Sequence, residues 1–395
     1  MYDVIVIGAR CAGAPTAMLF ARRGYRVLLL ERARFPQDTL SSHYIHMQGM
    51  ALLNRWGLLD QLRDAGCRPI TRQIYAGPGV RVDGFSLPID GLRHTYAPRR
   101  HVLDPILAAA AAAAGAEFQE GCAVNDLVYE RDRVAGVRYT TPGGAEVTAR
   151  AHLVVGADGM RSLVARKVGA QNVIEHPRMT TTYYSYWADV PSDFELYERP
   201  GRWIGVIPTN DDLTLLMAYF PQSEFNDVRK AVEPAFLEAF RTTVPELFER
   251  MSAGRRVEQL YGTGHQENFF REAHGPGWVL VGDAVNHKDS ITARGITEAF
   301  VQAESLTAYV GDGLHDHAAL GKALRRYEND LSGEAFSHYQ GALNVAELKP
   351  EGRVEMLRKL VGHQEHIDRY FSTLSGACSI DDFYNDELLE LLDLS

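Results

Sequence analysis

The chain has 395 residues, a net charge of −10 and 46% hydrophobic residues, which is enough to bury a large core and to form two or three domains. Basic residues form no long run, so nucleic acid and anionic membranes are disfavoured as main partners and a small molecule is favoured. The sequence has no apolar run long enough to cross a membrane, and its four cysteines lack metal-ligand spacing. We therefore expect a cytoplasmic protein without a disulfide framework or a metal site.

The N-terminal residues form the motif around which the chain is organised. Residues 4 to 7 are apolar and β-branched, as in a strand buried on both faces, and Gly8 and Gly13 then bracket a tight turn into a helix. A second apolar strand follows and delivers Glu31 at its tip. The free amides at such a helix start can bind a pyrophosphate, and an acid at the tip of the next strand can accept both hydroxyls of a ribose.

Arg10 departs from this pattern, because it stands where the G-x-G-x-x-G fingerprint has its middle glycine. That position normally has no side chain, so that a phosphate can approach the backbone. The motif by itself therefore leaves an ordinary strand, turn and helix of an α/β protein as an alternative.

A loop and an amphipathic helix follow the second strand. Residues 35 to 44 are rich in turn-forming residues, and the apolar residues of 45 to 62 recur at helical spacing. Ser42, His43 and His46 lie where the loop meets the helix. A histidine titrates near neutral pH and can act as a general base, but at a helix start it is also a capping or core residue.

The middle of the chain alternates between strand and helix patterns. Residues 74 to 97 are predicted to form short antiparallel strands, residues 103 to 114 an alanine-rich helix, and residues 118 to 151 a β-meander inserted in the α/β sheet. A further buried strand then ends at Asp158 and Gly159, a pair that is by itself also a common turn sequence.

Residues 179 to 220 concentrate aromatic side chains in three strand-like runs, which predicts an antiparallel sheet with an aromatic face. Such a face either packs on a helix, here residues 228 to 240, or forms a ligand wall. Both interpretations are open from the pattern alone.

Side chains alternate along the first of these runs, so Tyr184 and Tyr186 share one face while Tyr183 and Trp187 share the other. Only one pair can face a ligand. Tyrosine side chains suit a planar ligand through stacking and one or two hydrogen bonds. The predicted substrate-binding residues are Tyr184, Tyr186, Trp203 and Tyr219.

The last motif is a buried strand, residues 278 to 281, followed by Gly282 and Asp283. A helix is predicted to start at about Gly295, so that its free amides point toward the end of this strand. Helical patterns continue from about Ala318 to Leu331 and again from Val354 to Leu374.

Together, the three motifs resemble those of FAD-dependent monooxygenases of the para-hydroxybenzoate hydroxylase type, the single-component flavoprotein monooxygenases. The resemblance extends from Tyr2 to about residue 330 and depends on the order and spacing of the motifs that begin at Gly8, Gly156 and Gly282. It implies an α/β fold in which a Rossmann-like FAD-binding domain is interleaved with an antiparallel β-sheet substrate domain, followed by a C-terminal helical tail. The expected boundaries are 1–73, 98–170 and 265–335 for the FAD-binding domain, 74–97 and 171–264 for the substrate domain, and 336–395 for the tail.

The same resemblance implies the roles of individual residues. Glu31 would hold the ADP half of FAD, Asp158 would lie near the pyrophosphate, and Asp283 would bind the ribityl chain. The full set of implied cofactor residues is Gly8, Arg10, Gly13, Glu31, Arg32, Ser42, Arg100, Val124, Asp158, Gly282, Asp283, Gly295 and Ile296.

The chemistry implied by the family has two halves. NADH or NADPH reduces the flavin, and O2 then forms a C4a-hydroperoxide that oxygenates a small aromatic or polycyclic substrate, in secondary metabolism or catabolism. His43 and His46 are candidates for a general base that deprotonates a phenol. Departures from the family motifs at Arg10, Ser290 and Ala293 leave the substrate and the choice of reductant open, and we expect a monomer or a homodimer.

Three other functions are compatible with these motifs. A double-bond reductase similar to geranylgeranyl reductases would share all of them without activating oxygen. A flavin halogenase is disfavoured, because such enzymes need a lysine between flavin and substrate and a Trp-x-Trp-x-Ile-Pro strand. Here the first lysine is Lys167, and the corresponding strand has only Trp203. The last alternative is a non-catalytic flavoprotein that sequesters a ligand.

Overall fold

The computed structural model describes residues 1–393, so residues 394 and 395 of the predicted tail lie outside the described part. The strands in chain order are β1 (Tyr2–Ile7), β2 (Val27–Glu31), β3 (Arg72–Gly77), β4 (Val80–Phe85), β5 (Glu117–Glu120), β6 (Ala123–Glu130), β7 (Arg133–Thr140), β8 (Glu146–Gly156), β9 (Asn172–His176), β10 (Thr180–Ala188), β11 (Phe194–Arg199), β12 (Arg202–Pro208), β13 (Thr214–Pro221), β14 (Arg255–Arg256), β15 (Tyr261–Thr263), β16 (Asn268–Arg271), β17 (His274–Gly275), β18 (Trp278–Leu280) and β19 (Asn286–His287).

The α-helices surround these strands and fill the C-terminal part of the chain. In chain order they are α1 (Gly13–Arg22), α2 (Met47–Trp56), α3 (Leu59–Asp64), α4 (Arg100–Ala113), α5 (Leu163–Val168), α6 (Phe225–Val228), α7 (Val232–Thr243), α8 (Pro245–Ala253), α9 (Gly295–Val310), α10 (His317–Asp330), α11 (Phe336–Ala346), α12 (Glu351–Leu360), α13 (Gln364–Ser375), α14 (Ile380–Phe383) and α15 (Asp386–Leu391). Across the described residues, no helix is both long and apolar enough to span a membrane.

The first sheet carries the N-terminal motif and has the order β17-β18-β8-β1-β2-β5, with β7 paired to β8 and β6 paired to β7. β1 is parallel to β2 and β8, and β8 is parallel to β18. Residues 4–7 of β1 and all of β2 are buried, as expected for strands of a parallel sheet that is covered on both faces.

β8 corrects one detail of the predicted topology. The sequence predicts separate strands for residues 146–151 and 153–156, but these residues form one continuous strand with two different pairing partners. Its first half pairs antiparallel with β7 in the meander, and its second half pairs parallel with β1.

The second sheet is the aromatic one and has the order β14-β10-β13-β12-β11-β3-β4, with β15 also paired to β10. β11 was not predicted, because the two glutamates in its sequence obscure the strand pattern. Both acids are buried, since Glu195 pairs with Arg250 and Glu198 pairs with Arg353. β3 pairs with β11, which connects residues 72–85 to the aromatic sheet.

The C-terminal helices pack against the aromatic sheet. Val354 and Leu357 of α12 and Phe371 of α13 belong to the same buried cluster as Tyr184 and Trp203. Residues 354 to 374, expected as one continuous helical pattern, form two helices. The predicted α/β architecture with an antiparallel sheet and a helical tail is therefore confirmed, and the exact domain boundaries stay predictions.

Candidate functional site

The three sequence motifs meet at one edge of the first sheet. β1, β8 and β18 run in the same direction, with Ile7 beside Gly156 and Gly156 beside Leu280. The turns that follow these three strands therefore emerge side by side. In open α/β sheets, ligands bind at this edge, outside the carboxyl ends of the strands.

Glycines at this edge allow the three turns to contact each other through their backbones. A Cβ atom on Gly13 would lie 1.8 Å from the carbonyl oxygen of Gly8, and one on Gly8 would lie 2.4 Å from the carbonyl oxygen of Ala157. Gly282 has a φ of 68°, and its Cβ would lie 2.7 Å from the Cβ of Ala12. Any larger residue at these three glycines would push the turns apart.

Glu31 is buried at the end of β2, beside the glycine turn. One carboxylate oxygen accepts a hydrogen bond from the N–H of Ala9 at 2.9 Å, and the other accepts one from the N–H of Ala33 at 2.9 Å. A carboxylate has about four acceptor positions, so this pairing leaves room for further donors. Val124 lies nearby, because the N–H of Cys122 donates to the carbonyl of Glu31 at 2.8 Å.

Arg10 forms an ion cluster with Asp104 and Arg100, which we call the arginine cluster. Arg10 Nη1 lies 2.9 Å from one oxygen of the Asp104 carboxylate, and Arg100 Nε lies 2.8 Å from the other. Asp104 is fully buried, whereas the Arg10 side chain is 27% exposed. The side chain of Arg10 therefore turns onto α4 beside the glycine turn, where it stands close to the position expected for a pyrophosphate.

The Asp158 carboxylate accepts hydrogen bonds from nearby residues of the same turn. One oxygen accepts from Ser162 Oγ at 2.6 Å, and the other accepts from the N–H of Leu163 at 2.6 Å, at the start of α5. Burial raises the pKa of Asp158, and these hydrogen bonds oppose that effect. Its direct contacts thus hold the turn after β8 in shape.

The other implied cofactor residues differ in exposure. Asp283 and Gly295 are exposed at the same edge, and Ile296 is buried in the first turn of α9. Arg32 is exposed and Ser42 is partly buried. The role of each residue toward a cofactor stays a prediction.

His43 connects the loop after β2 to the aromatic sheet. Its Nε2 lies 2.6 Å from the hydroxyl of Tyr186, and both side chains are buried. Its backbone has a φ of 62°, and its N–H donates to Ser41 Oγ at 3.0 Å. Burial lowers the pKa of His43 to about 3, so its ring is neutral at neutral pH. Within residues 1–393 the other ring nitrogen, Nδ1, has no hydrogen-bond partner.

Sequence reasoning missed three charged residues around this pair. The guanidinium carbon of Arg99 lies 4.0 Å from the centroid of the Tyr186 ring. Arg99 also donates to Asp38 at 2.9 Å and to Glu258 at 2.5 Å. The one local signal for Arg99 is the pair of adjacent arginines, Arg99 and Arg100. Its partners Asp38 and Glu258 lie far away along the chain, so no pattern connects them to it.

His46 has a different environment from His43. Its Nε2 lies 3.1 Å from the carbonyl oxygen of Thr292, and its N–H donates to Thr297 Oγ1 at 3.0 Å. Burial lowers the pKa of His46 to about 3. His46 thus contacts the loop and helix that follow the last motif, whereas His43 contacts the sheet.

The four predicted substrate residues lie in one buried cluster on one face of the aromatic sheet, together with Tyr44, Phe194 and Met217. The hydroxyl of Tyr219 lies 3.0 Å from Ser290 Oγ, which connects this face to the last motif. On the opposite face, Trp187 stacks on Phe236 of α7 with ring centroids 5.8 Å apart. The face with Trp187 therefore packs on a helix, and a substrate-binding role for the other face stays a prediction.

A comparison with protein families identifies the cofactor class. A family model described as an FAD binding domain matches residues 1–330. The chain belongs to this family. It is accordingly an FAD-binding protein of an oxidoreductase family, which agrees with the predicted cofactor and the predicted enzyme class.

Individual relatives in this family differ in reaction. The chain is 28% identical to digeranylgeranylglycerophospholipid reductase of Methanocella arvoryzae, over 84% of this chain and 82% of the relative. It is 27% identical to 6-methylpretetramide 4-monooxygenase of Streptomyces rimosus, over 90% and 83% of the two chains. The structure of the flavin-dependent brominase Bmp2 superposes with a TM-score of 0.79 and 20% identity, over 99% and 97% of the two chains, and this likeness shows the fold alone.

The residues at the sheet edge where the three motifs meet fit FAD. The glycines let the turns after the three strands pack against one another, Glu31 keeps acceptor positions free, and Arg10 and Arg100 supply positive charge beside the turn. FAD, with its pyrophosphate, one ribose and one ribityl chain, complements these features.

Proposed function

We propose that the protein is an FAD-dependent monooxygenase that uses NADH or NADPH and transfers one oxygen atom from O2 to a small aromatic or polycyclic substrate. The observation that carries this proposal is the buried pair of His43 and Tyr186, with Arg99 stacked on the tyrosine ring. This pair lies on the face of the sheet that also carries Tyr184, Trp203 and Tyr219. When bound, FAD would supply the redox chemistry, and the protein would position the substrate, exclude water and control protons.

The chemistry of the pair suits a phenolic substrate. When Nε2–H of the neutral His43 ring donates to Tyr186, its unpaired Nδ1 can accept a hydrogen bond from a substrate hydroxyl. The positive charge of Arg99 beside this pair would stabilise negative charge that develops on the substrate oxygen. A phenol whose O–H bond is polarised in this way is a stronger nucleophile toward an electrophilic oxygen.

A double-bond reductase is the second candidate, and the Methanocella arvoryzae relative favours it. A reductase of long isoprenoid chains needs an apolar channel for a hydrocarbon. The aromatic face instead combines tyrosine hydroxyls with a buried glutamate, Glu198. This polar content favours a compact substrate with hydrogen-bonding groups.

Product analysis separates the candidate reactions. The FAD-loaded protein is reduced by NADPH or NADH without oxygen and is then mixed with 18O-labelled O2 and a panel of naphthols, with and without bromide. We expect reduction by at least one nicotinamide, hydrogen peroxide formation without substrate, and a product that carries one labelled oxygen atom.

Other outcomes would contradict the proposal in recognisable ways. A brominated product would indicate a halogenase, and anaerobic reduction of a polyprenyl substrate with no oxygenated naphthol would indicate a reductase. A protein whose flavin no nicotinamide reduces would contradict the proposed use of NAD(P)H.

A further inference from the structure

We propose that Glu198 forms the far end of the substrate site and accepts a hydrogen bond from a neutral hydroxyl or N–H group of the substrate. The proposal rests on the proposed function, because it takes the face of Tyr184 and Tyr186 as the substrate wall. It adds a requirement on the substrate itself, namely a hydrogen-bond donor at the end that lies away from the flavin.

Strand register places Glu198 at the end of a row that starts beside the last motif. Trp203 of β12 lies opposite Tyr219 of β13 on one side and opposite Glu198 of β11 on the other. Tyr219 contacts Ser290 of the last motif. Neighbouring strands are about 4.8 Å apart, so the row from Tyr219 to Glu198 spans roughly 10 Å. A molecule of two or three fused rings has this length.

The Glu198 carboxylate is paired on one oxygen only. The hydroxyl of Tyr75 donates to Oε2 at 2.8 Å, and Arg353 Nη1 donates to the same oxygen at 2.5 Å. The side chain is fully buried. Throughout residues 1–393, no donor lies within hydrogen-bonding distance of Oε1, which is itself shielded from solvent. A buried acceptor of a charged group without a partner is destabilising, and a ligand donor would offset this penalty.

The same strand shows how such an acid is fully paired when it has only a structural role. Glu195 accepts from Arg250 on both oxygens, at 3.0 and 2.6 Å, and from the hydroxyl of Tyr197 at 2.5 Å. Glu195 is three residues from Glu198 and lies on the opposite face of the sheet. Both acids thus have one arginine and one tyrosine as partners, but only Glu198 keeps an unpaired oxygen, on the face that carries Trp203.

The charge of the site determines the kind of group it can bind. The Glu198 carboxylate forms an ion pair with Arg353, and a carboxylate accepts hydrogen bonds and donates none. The two opposite charges cancel, so the site offers an acceptor without net charge. A neutral donor such as a phenol hydroxyl or an amide N–H complements it better than an ammonium group or a second acceptor.

A matched pair of probes tests this inference on the full-length, FAD-loaded protein. The probes are 2,6-dihydroxynaphthalene and 6-methoxynaphthalen-2-ol, in which a methoxy group replaces the hydroxyl donor at one end, and calorimetry measures their binding without turnover. We expect the wild type to bind the dihydroxy probe roughly tenfold more tightly, the range for one hydrogen bond to a charged group. Glu198→Gln should abolish this preference, because its amide oxygen will face Tyr75 and Arg353 and leave the amide N–H₂ toward the ligand. Glu195→Gln is the matched control and should retain the preference.

Each outcome of this experiment has a defined meaning. Equal binding of the two probes by the wild type, binding of neither, or loss of the preference in Glu195→Gln would overturn the proposal. The comparison of probes on the wild type needs no variant, so it remains decisive if Glu198→Gln does not fold. Because the measurement is equilibrium binding, it is independent of the oxygenation test of the proposed function. A protein that prefers the dihydroxy probe but oxygenates nothing would contradict only the proposed function.

Discussion

Replacing Asp104 by asparagine tests whether the arginine cluster stabilises the glycine turn. The substitution keeps the shape of the side chain and removes its charge, which leaves Arg100 and Arg10 close together without their shared anion. Removing one partner of a buried ion pair costs about 3–5 kcal/mol. Because the amide oxygen still accepts one hydrogen bond and Arg10 is 27% exposed, we expect the lower end, a loss of about 3 kcal/mol in the free energy of unfolding.

Equilibrium urea unfolding of the FAD-free protein, followed by circular dichroism, measures this loss. The comparison requires that the dependence of the free energy on urea is the same in both proteins. Asp60→Asn is the control, because Asp60 pairs with Arg63 at 2.9 Å but both side chains are largely exposed. Exposed pairs of this kind contribute little, so the control should unfold at nearly the wild-type midpoint.

Saturation with FAD should narrow the difference between Asp104→Asn and the wild type. The pyrophosphate brings negative charge to the two arginines, so the bound cofactor replaces part of what the aspartate supplied. The reasoning is refuted if Asp104→Asn unfolds at the same urea concentration as Asp60→Asn. It is also refuted if FAD leaves the difference unchanged.

Three further predictions concern single side chains. Glu31→Ala should weaken FAD binding by about ten- to a hundredfold in a fluorescence titration, the range for lost charge-assisted hydrogen bonds, and unchanged affinity would contradict its assignment to the ADP half. Tyr186→Phe should divert NAD(P)H oxidation to hydrogen peroxide at normal FAD content, whereas Tyr183→Phe, on the opposite face, should not; equal coupling in both variants would contradict the role of the His43 contact. The pKa of His46 is lowered from its usual 6.5 to about 3, so its stabilising effect is complete above pH 6.5 and declines as the pH falls toward 3, because only the unfolded chain takes up the proton. His46→Asn should therefore reduce the loss of unfolding free energy on acidification by up to about 1.4 kcal/mol per pH unit. The control His94→Asn changes an exposed histidine and should follow the wild type. Identical profiles of unfolding free energy against pH in all three proteins would refute this explanation.

The cofactor half of the molecule was predictable because its signals are local in sequence. A buried parallel strand is a continuous apolar run, and the turn after it needs glycine wherever two backbones come within contact distance, as at Gly8 and Gly13. Parallel pairing then brings the ends of β1, β8 and β18 to one edge without further information. The length and spacing of such signals are sufficient to place the three motifs together.

The half that contains the aromatic sheet was predictable only in outline, because its contacts connect distant parts of the chain. Alternation along β10 correctly separated Tyr186 from Trp187, since side chains on a strand alternate. The charges around Tyr186 have no such local signal. Arg99 lies 61 residues from Asp38 and 159 residues from Glu258 along the chain, and no periodicity relates these positions.

β11 shows a second reason why sequence patterns fail. Its glutamates indicate an exposed segment, because buried acids are rare unless they are paired. Arg250 of α8 and Arg353 of α12 supply the missing partners, and both helices follow β11 in the chain by more than forty residues. A strand that depends on distant cations for its burial cannot be identified from its own composition.

The division between local and distant signals also bears on why relatives of similar identity differ in reaction. The chain is 28% identical to a reductase and 27% identical to a monooxygenase, and the motifs that hold FAD are local features that such enzymes can share. The choice of reaction then depends on the side chains that meet the substrate. In the site that we propose, these come from the loop around His43, from the face of the aromatic sheet and from the tail through Arg353. These residues are distant from one another in sequence, so overall identity weights them no more than any other position. Substitutions at this face, rather than at the glycine turns, are therefore the changes that would alter the reaction while leaving FAD binding intact.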